Sequence, residues 1–274
     1  MAAMFARFSA LSRLVVLGAA LTAVACGSDE APKQETDNGK FSLLFRDDFE
    51  QLDSTRWQVM THSWDTNLAL FSANSVAIED GSLVLSLLPA PQGTVDSTGA
   101  AKPYFGAEVR SRDTLTYGRV RARARFARGP AVISSLVTIY TPWPADNWNE
   151  LDIECLGAQP ESLQFNAQVY TGTLPAASTP VRPTGDEAKQ PLSFDASGDY
   201  HVYALEWTAA SARFLVDDAV VRTWTSHIDL MNLPQNVLLT IWASSVASWA
   251  GATSVETTTA KAYYDWVELY TYAP

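Results

Sequence analysis

Residues 148–154 read Trp-Asn-Glu-Leu-Asp-Ile-Glu, with acids at 150, 152 and 154 and aliphatic residues between them. Side chains on a β-strand alternate between faces. The spacing therefore predicts a strand with Glu150, Asp152 and Glu154 in one row and Leu151 and Ile153 anchored in a core behind them. Three like charges stay in a row only if that apolar face is firmly held, so the rest of the chain must supply the core.

The flanking sequence has the texture of strands throughout. Short runs rich in β-branched and aromatic residues fall at 42–49, 75–79, 82–88, 107–112, 118–126, 132–140, 163–170, 201–208, 212–216, 220–224, 237–243 and 262–270. Turn signals separate them: Asp80-Gly81, Arg128-Gly129-Pro130, Ala196-Ser197-Gly198 and Asp217-Asp218. Past the leader, no long segment carries a 3.6-residue period, and there is no internal repeat. These features predict an all-β fold, a β-sandwich jelly roll of two stacked, curved antiparallel sheets. In Val120-Arg-Ala-Arg-Ala-Arg-Phe126 the arginines alternate with small residues, which reads as the exposed outer face of a sheet. Two stretches, 92–102 and 171–191, read as long loops; the second carries four prolines and follows soon after the acid row.

The N-terminus is not part of that fold. Arg7 and Arg13 precede an apolar run too short to span a bilayer, and Cys26 follows Ala23-Val24-Ala25. Residues 1–26 are expected to be a lipoprotein-type signal peptide ending at a lipidated Cys26. Residues 27–40 are expected to be a flexible, polar linker, and 41–274 the folded domain. The implied location is the cell envelope or cell surface, with the membrane reached only through the lipid anchor; simple secretion is the alternative. The chain of 274 residues carries a formal charge of -11, which becomes -13 when residues 1–25 and their two arginines are removed. Such a field repels nucleic acid and suits a neutral substrate. Beyond Cys26 the sole cysteine is Cys155. It alternates onto the core side of the acid strand, so it is expected to be buried and inert.

Three chemistries fit a row of three carboxylates. A hard-metal site usually draws its ligands from a curved loop, not from an alternating strand. A solvated strand face is the second. The third is a glycosidase pair, one carboxylate attacking the anomeric carbon and another protonating the leaving oxygen. On a flat strand Glu150 and Glu154 would stand roughly 13 Å apart, whereas a retaining pair works at about 5–5.5 Å. The third reading therefore requires a concave sheet on which the glutamates lean together, with Asp152 between them.

Asn149-Glu-Leu-Asp-Ile-Glu-Cys-Leu-Gly157 resembles the active-site strand of family sixteen of the glycoside hydrolases, in the unbulged form of bacterial lichenases and plant xyloglucan-active members, whereas laminarinases and agarases usually insert one residue before the final Glu. Tyr104-Phe-Gly-Ala-Glu-Val-Arg-Ser111, Leu163-Gln-Phe-Asn166, Asp199-Tyr-His-Val-Tyr-Ala-Leu-Glu-Trp207 and Tyr263-Tyr-Asp-Trp-Val267 are similar to lichenase segments in the same order. The resemblance implies Glu150 as nucleophile, Glu154 as general acid and base, and Asp152 as assisting carboxylate. It implies substrate contacts at Glu108, Arg110, Trp148, Gln164, Asn166, Trp242 and Trp249. It also implies a structural calcium at Asp265 with carbonyls near Gly81 and Asp48, and no cofactor for catalysis. Trp57, Trp207 and Trp266 are expected in the core.

Two positions depart from the lichenase pattern: Thr240 replaces an asparagine and Gln168 a tyrosine. The expected protein is a monomeric retaining endo-β-glucanase acting on 1,3-1,4-β-glucan (lichenan). A transglycosylase on xyloglucan or chitin–glucan, and a non-catalytic carbohydrate-binding module, are the alternatives.

Overall fold

In a computed structural model, the described residues are 40–142, 145–174, 179–180 and 188–273. The leader, Cys26 and residues 27–39 of the expected tether lie outside them. In chain order the strands are β1 Phe41–Asp47, β2 Trp57–Val59, β3 Ala69–Phe71, β4 Val76–Glu79, β5 Ser82–Ser86, β6 Leu88–Pro89, β7 Tyr104–Leu115, β8 Gly118–Arg125 and β9 Val132–Ile139. They continue as β10 Ala145–Leu156, β11 Ser162–Leu174, β12 Thr179–Pro180, β13 Ala188–Pro191, β14 His201–Trp207, β15 Ala212–Val216, β16 Ala219–Trp224, β17 Gln235–Ala243 and β18 Lys261–Tyr272. No helix among the described residues is long and apolar enough to cross a membrane.

Two sheets stack. One runs β16-β15-β14-β8-β18-β5-β4 with β1 on β18; the other runs β12-β11-β10-β9-β17-β7-β2 with β13 on β11 and β3 and β6 on β7. Among the described residues every strand pairing is antiparallel except β3 with β7, which is parallel, an exception to the expected all-antiparallel sheets. The core between them is filled by alternate residues of facing strands, including Leu151, Ile153, Phe165, Leu136 and Leu239 from one sheet and Val120, Ala122, Leu205, Tyr264 and Leu269 from the other. Turn chemistry closes the hairpins as read: Asp80-Gly81 and Asp217-Asp218 both take positive φ, the conformation a two-residue hairpin turn requires.

Two expectations are corrected. The stretch 171–191 is not one long loop, because β11 runs on to Leu174 and β12 and β13 pair with it. Pro180 and Pro191 fall in short strands at the sheet's edge, the place in a sheet where proline is tolerated. Trp266 is not in the core. A register shift between Tyr264 and Trp266 reverses the alternation, leaving Tyr264 buried while Trp266 lies on the outer face under the guanidiniums of Arg46 and Arg121, 4.5 and 5.5 Å from its ring centre. Trp57 and Trp207 are fully buried.

The arginines of β8 do line the outer face. Arg125 stacks on Tyr263 at 4.2 Å, Arg123 on Tyr200 at 4.7 Å and Arg119 on Phe41 at 4.5 Å. Arg121 bonds Glu268 and Asp218, and Arg123 bonds Asp265. Ring stacking and ion pairs engage this cationic row within the fold.

Candidate active site

β10 lies between β9 and β11, and its register sets the site. Glu150 stands opposite Ile139 and Gln168, Asp152 opposite Val137 and Asn166, and Glu154 opposite Ser135 and Gln164. Facing the core, Leu151, Ile153 and Cys155 have no exposed surface. That apolar side fixes the strand, so the acid row points out of the sandwich. Burial drives the Cys155 thiol well above its ordinary pKa, which leaves it protonated and unreactive.

Each carboxylate meets an amide from β11. Gln168 Nε2 donates to Glu150 Oε2 at 2.8 Å and to Asp152 Oδ2 at 3.3 Å. The two carboxylate oxygens are therefore no farther apart than those two bonds laid end to end, although their residues are spaced roughly 7 Å along a flat strand. Gln164 Nε2 reaches Glu154 Oε2 at 3.4 Å, and its Oε1 accepts from Trp249 Nε1 at 2.8 Å. Asn166 Oδ1 is buried and has no hydrogen-bond partner. A buried acceptor without a donor is costly. On the acid face of the sheet, it suits a hydroxyl brought by a ligand.

From Glu154 the same ladder continues across the sheet. Ser135 pairs with Thr240, which pairs with Glu108 on β7. The Ser135 and Thr240 hydroxyls bond each other at 2.5 Å. Below them the buried Tyr264 hydroxyl donates to the Ser135 carbonyl at 2.8 Å and the Thr240 carbonyl at 3.3 Å. At the far end Arg110 grips Glu108 Oε1 through Nε at 2.9 Å and Nη2 at 2.6 Å, while His62 Nε2 stands 3.6 Å from Glu108 Oε2. Burial lowers the His62 pKa; Arg110 pushes the same way and Glu108 opposes both.

One side of this floor is an aromatic wall. Trp242 lies 5.0 Å from Trp64 and 5.9 Å from Trp249, and Trp64 and His62 both pack edge-on against Phe71. Trp148 lies on the acid face of β10, its ring edge-on to Tyr170 and its Nε1 bonded to the Tyr140 carbonyl at 2.8 Å. Such surfaces match the apolar faces of sugar rings.

All ten residues expected to act or bind thus lie on one face of one sheet or in its adjoining wall. Trp64 and His62 sit between β2 and β3 and reach the wall only through tertiary packing, so no periodicity in the sequence marks them. The position of Gln168 opposite Glu150 follows from hairpin register, which alternation alone does not supply.

The expected calcium residues behave differently. Asp265 Oδ2 accepts from Arg123 at 2.6 Å and Asp48 Oδ1 from Arg46 at 2.8 Å. Gly81 sits in the β4–β5 turn at φ +72°. Asp265 Oδ2, the one side-chain ligand expected there, is engaged by the Arg123 guanidinium, and no step below depends on a cation.

A jelly roll with carboxylates, amides and tryptophans along one sheet face defines a carbohydrate-active enzyme. The chain belongs to the glycosyl hydrolases family 16, whose family model matches residues 60–268. A beta-glucanase of Brevibacillus brevis is 30% identical over 230 residues, covering 81% of this chain and 80% of that protein. The structure of a beta-1,3-1,4-glucanase (lichenase) derived from a mouse hindgut metagenome is similar with a TM-score of 0.69 at 31% identity, covering 82% of this chain and 97% of that one. The laminarinase catalytic domain of Thermotoga maritima MSB8 shares the fold at 17% identity, with a TM-score of 0.70 and coverage of 86% and 100%.

Proposed function

We propose that this family 16 glucanase is a retaining endo-enzyme whose substrate is mixed-linkage 1,3-1,4-β-glucan. The observation that carries the reading is the register of β10 on β11, which sets Glu150, Asp152 and Glu154 against three amides and leaves the buried Asn166 Oδ1 awaiting a donor. Glu150 attacks the anomeric carbon while Glu154 protonates the departing glucan oxygen. The ester so formed is then hydrolysed by a water that Glu154 deprotonates. Two inversions return the original configuration. Asp152, buried between the two, adjusts their charge. Trp148, Trp242 and Trp249 carry sugar faces, and Asn166, Gln164, Glu108 and Arg110 take hydroxyls.

The unbulged acid motif and the likeness to a lichenase at 31% identity support lichenan over a purely 1,3-linked glucan. The test is product analysis on lichenan, laminarin, xyloglucan and chitin oligomers. Oligosaccharides from lichenan are expected, with β-configured reducing ends at early times. Cleavage of laminarin with lichenan left intact refutes the substrate, and α-configured products refute retention.

We further propose export with lipidation at Cys26. Intact mass of the membrane-extracted protein is expected to show a chain starting at a lipid-bearing Cys26. An unmodified N-terminus elsewhere refutes that.

A further inference from the structure

We propose that Gln168 is a positioning residue for the nucleophile: its side-chain amide holds Glu150 and Asp152 ionised together and selects which oxygen of Glu150 attacks. This rests on Glu150 being the nucleophile. The carbamoyl nitrogen of glutamine carries two hydrogens, and here it lies within hydrogen-bond reach of two acceptors, Glu150 Oε2 at 2.8 Å and Asp152 Oδ2 at 3.3 Å. Two carboxylates this close repel, which favours protonating one of them; a neutral donor shared between them favours the doubly charged state. Gln168 cannot ionise, so it does this at every working pH. The geometry is fixed by the antiparallel register that sets Gln168 directly across from Glu150.

The bond to Oε2 also divides the labour of the carboxylate. Attack forms the bond from Glu150 Oε1 to the anomeric carbon as the glycosidic C–O bond breaks. Its electron pair goes to the leaving oxygen, which takes the proton of Glu154. In the resulting ester Oε2 is the carbonyl oxygen and keeps the Gln168 hydrogen bond. When water attacks, Glu154 takes back a proton, the ester bond breaks, and its electron pair returns to the Glu150 carboxylate, whose charge spreads onto Oε2 where the donor waits. A donor at this oxygen makes Glu150 a better leaving group and a slightly poorer nucleophile, so it speeds the second step most.

The experiment combines NMR with kinetics. In the wild-type protein the Gln168 side-chain amide protons are expected to shift with pH, following the titration of the Glu150–Asp152 pair seen by carboxyl ¹³C; amide signals indifferent to that titration overturn the proposal. This readout needs neither substrate nor a variant, so it stands even if the glucan assignment fails. In Gln168→Met, of similar length but without a donor, the pair's carboxyl midpoint is expected to rise by about one pH unit. On a turned-over glucan, kcat and KM are expected to fall together by up to about tenfold as the ester accumulates. An unchanged midpoint in a folded Gln168→Met, or a rise in KM alone, marks Gln168 as packing only and overturns the proposal. Should that variant not fold, the wild-type amide titration decides by itself.

Discussion

Gly157 closes the acid strand, and replacing it with alanine tests how tightly that strand is held. A Cβ at this position would stand 2.7 Å from the Gly129 carbonyl oxygen, 2.8 Å from the Gly129 nitrogen and 2.9 Å from the Ala127 carbonyl oxygen. All three are backbone atoms, and none can rotate away as a side-chain end would. The crossing is also bonded in both directions, with Gly157 N–H to the Val132 carbonyl at 2.8 Å and Gly129 N–H to the Gly157 carbonyl at 3.0 Å. Relief requires the two segments to part by roughly half an ångström in a close-packed interior, stretching or breaking those bonds. Overpacking costs about 1–3 kcal/mol, occasionally more, and a clash against backbone on several sides belongs at or above the upper end. At about 2–4 °C per kcal/mol for a protein of this size, Gly157→Ala is expected to lower Tm by roughly 6–12 °C. Calorimetry and urea unfolding read this directly, with Gly198→Ala as a control because its nearest contact would be 3.3 Å. Gly157 lies three residues beyond Glu154, so kcat measured well below the new Tm is expected to fall too. A Gly157→Ala protein with unchanged Tm and kcat would refute the claim that this crossing fixes the acid strand.

Two further outcomes follow from the same geometry. Tyr264→Phe keeps the buried ring but removes the donor to the Ser135 and Thr240 carbonyls. It is expected to cost about 1–2 kcal/mol in urea unfolding, and equal midpoints for the two proteins would show that the hydroxyl does not brace the cleft floor. His62 has a folded-state pKa below its unfolded value of 6.5. The unfolded chain therefore takes up this proton first as pH falls, so the stabilisation is complete above about pH 6.5 and is lost as pH drops through the unfolded and then the folded value. Tm is expected to decline across that window in the wild type and to decline less in His62→Gln; parallel slopes would contradict it.

The acid row was legible because alternation is a local property: Leu151 and Ile153 had to go inward, so Glu150, Asp152 and Glu154 had to go outward together. Hairpin turns such as Asp80-Gly81 and Asp217-Asp218 were legible for the same reason, since only a few residue types take positive φ readily. What alternation could not reach was anything decided across strands. A bulge near Asp265 turned Trp266 outward, and edge pairing made strands of a proline-rich stretch. Trp64 and His62 joined the wall from an irregular segment with no period to read. The most consequential contact, Gln168 on Glu150 and Asp152, depends on the register of β11, which a one-residue slip would have abolished.

The central claim is that Glu150 forms a covalent bond to the sugar, and trapping that bond tests it most directly. A 2-deoxy-2-fluoro β-oligoglucoside with a good leaving group slows both steps but lets the ester accumulate, so digestion and mass spectrometry locate the labelled residue. The label is expected on Glu150, in one equivalent, and its loss is expected when an acceptor glucan is added. A label on Asp152 or Glu154, or turnover of the reagent to an inverted product with no label, would contradict the account.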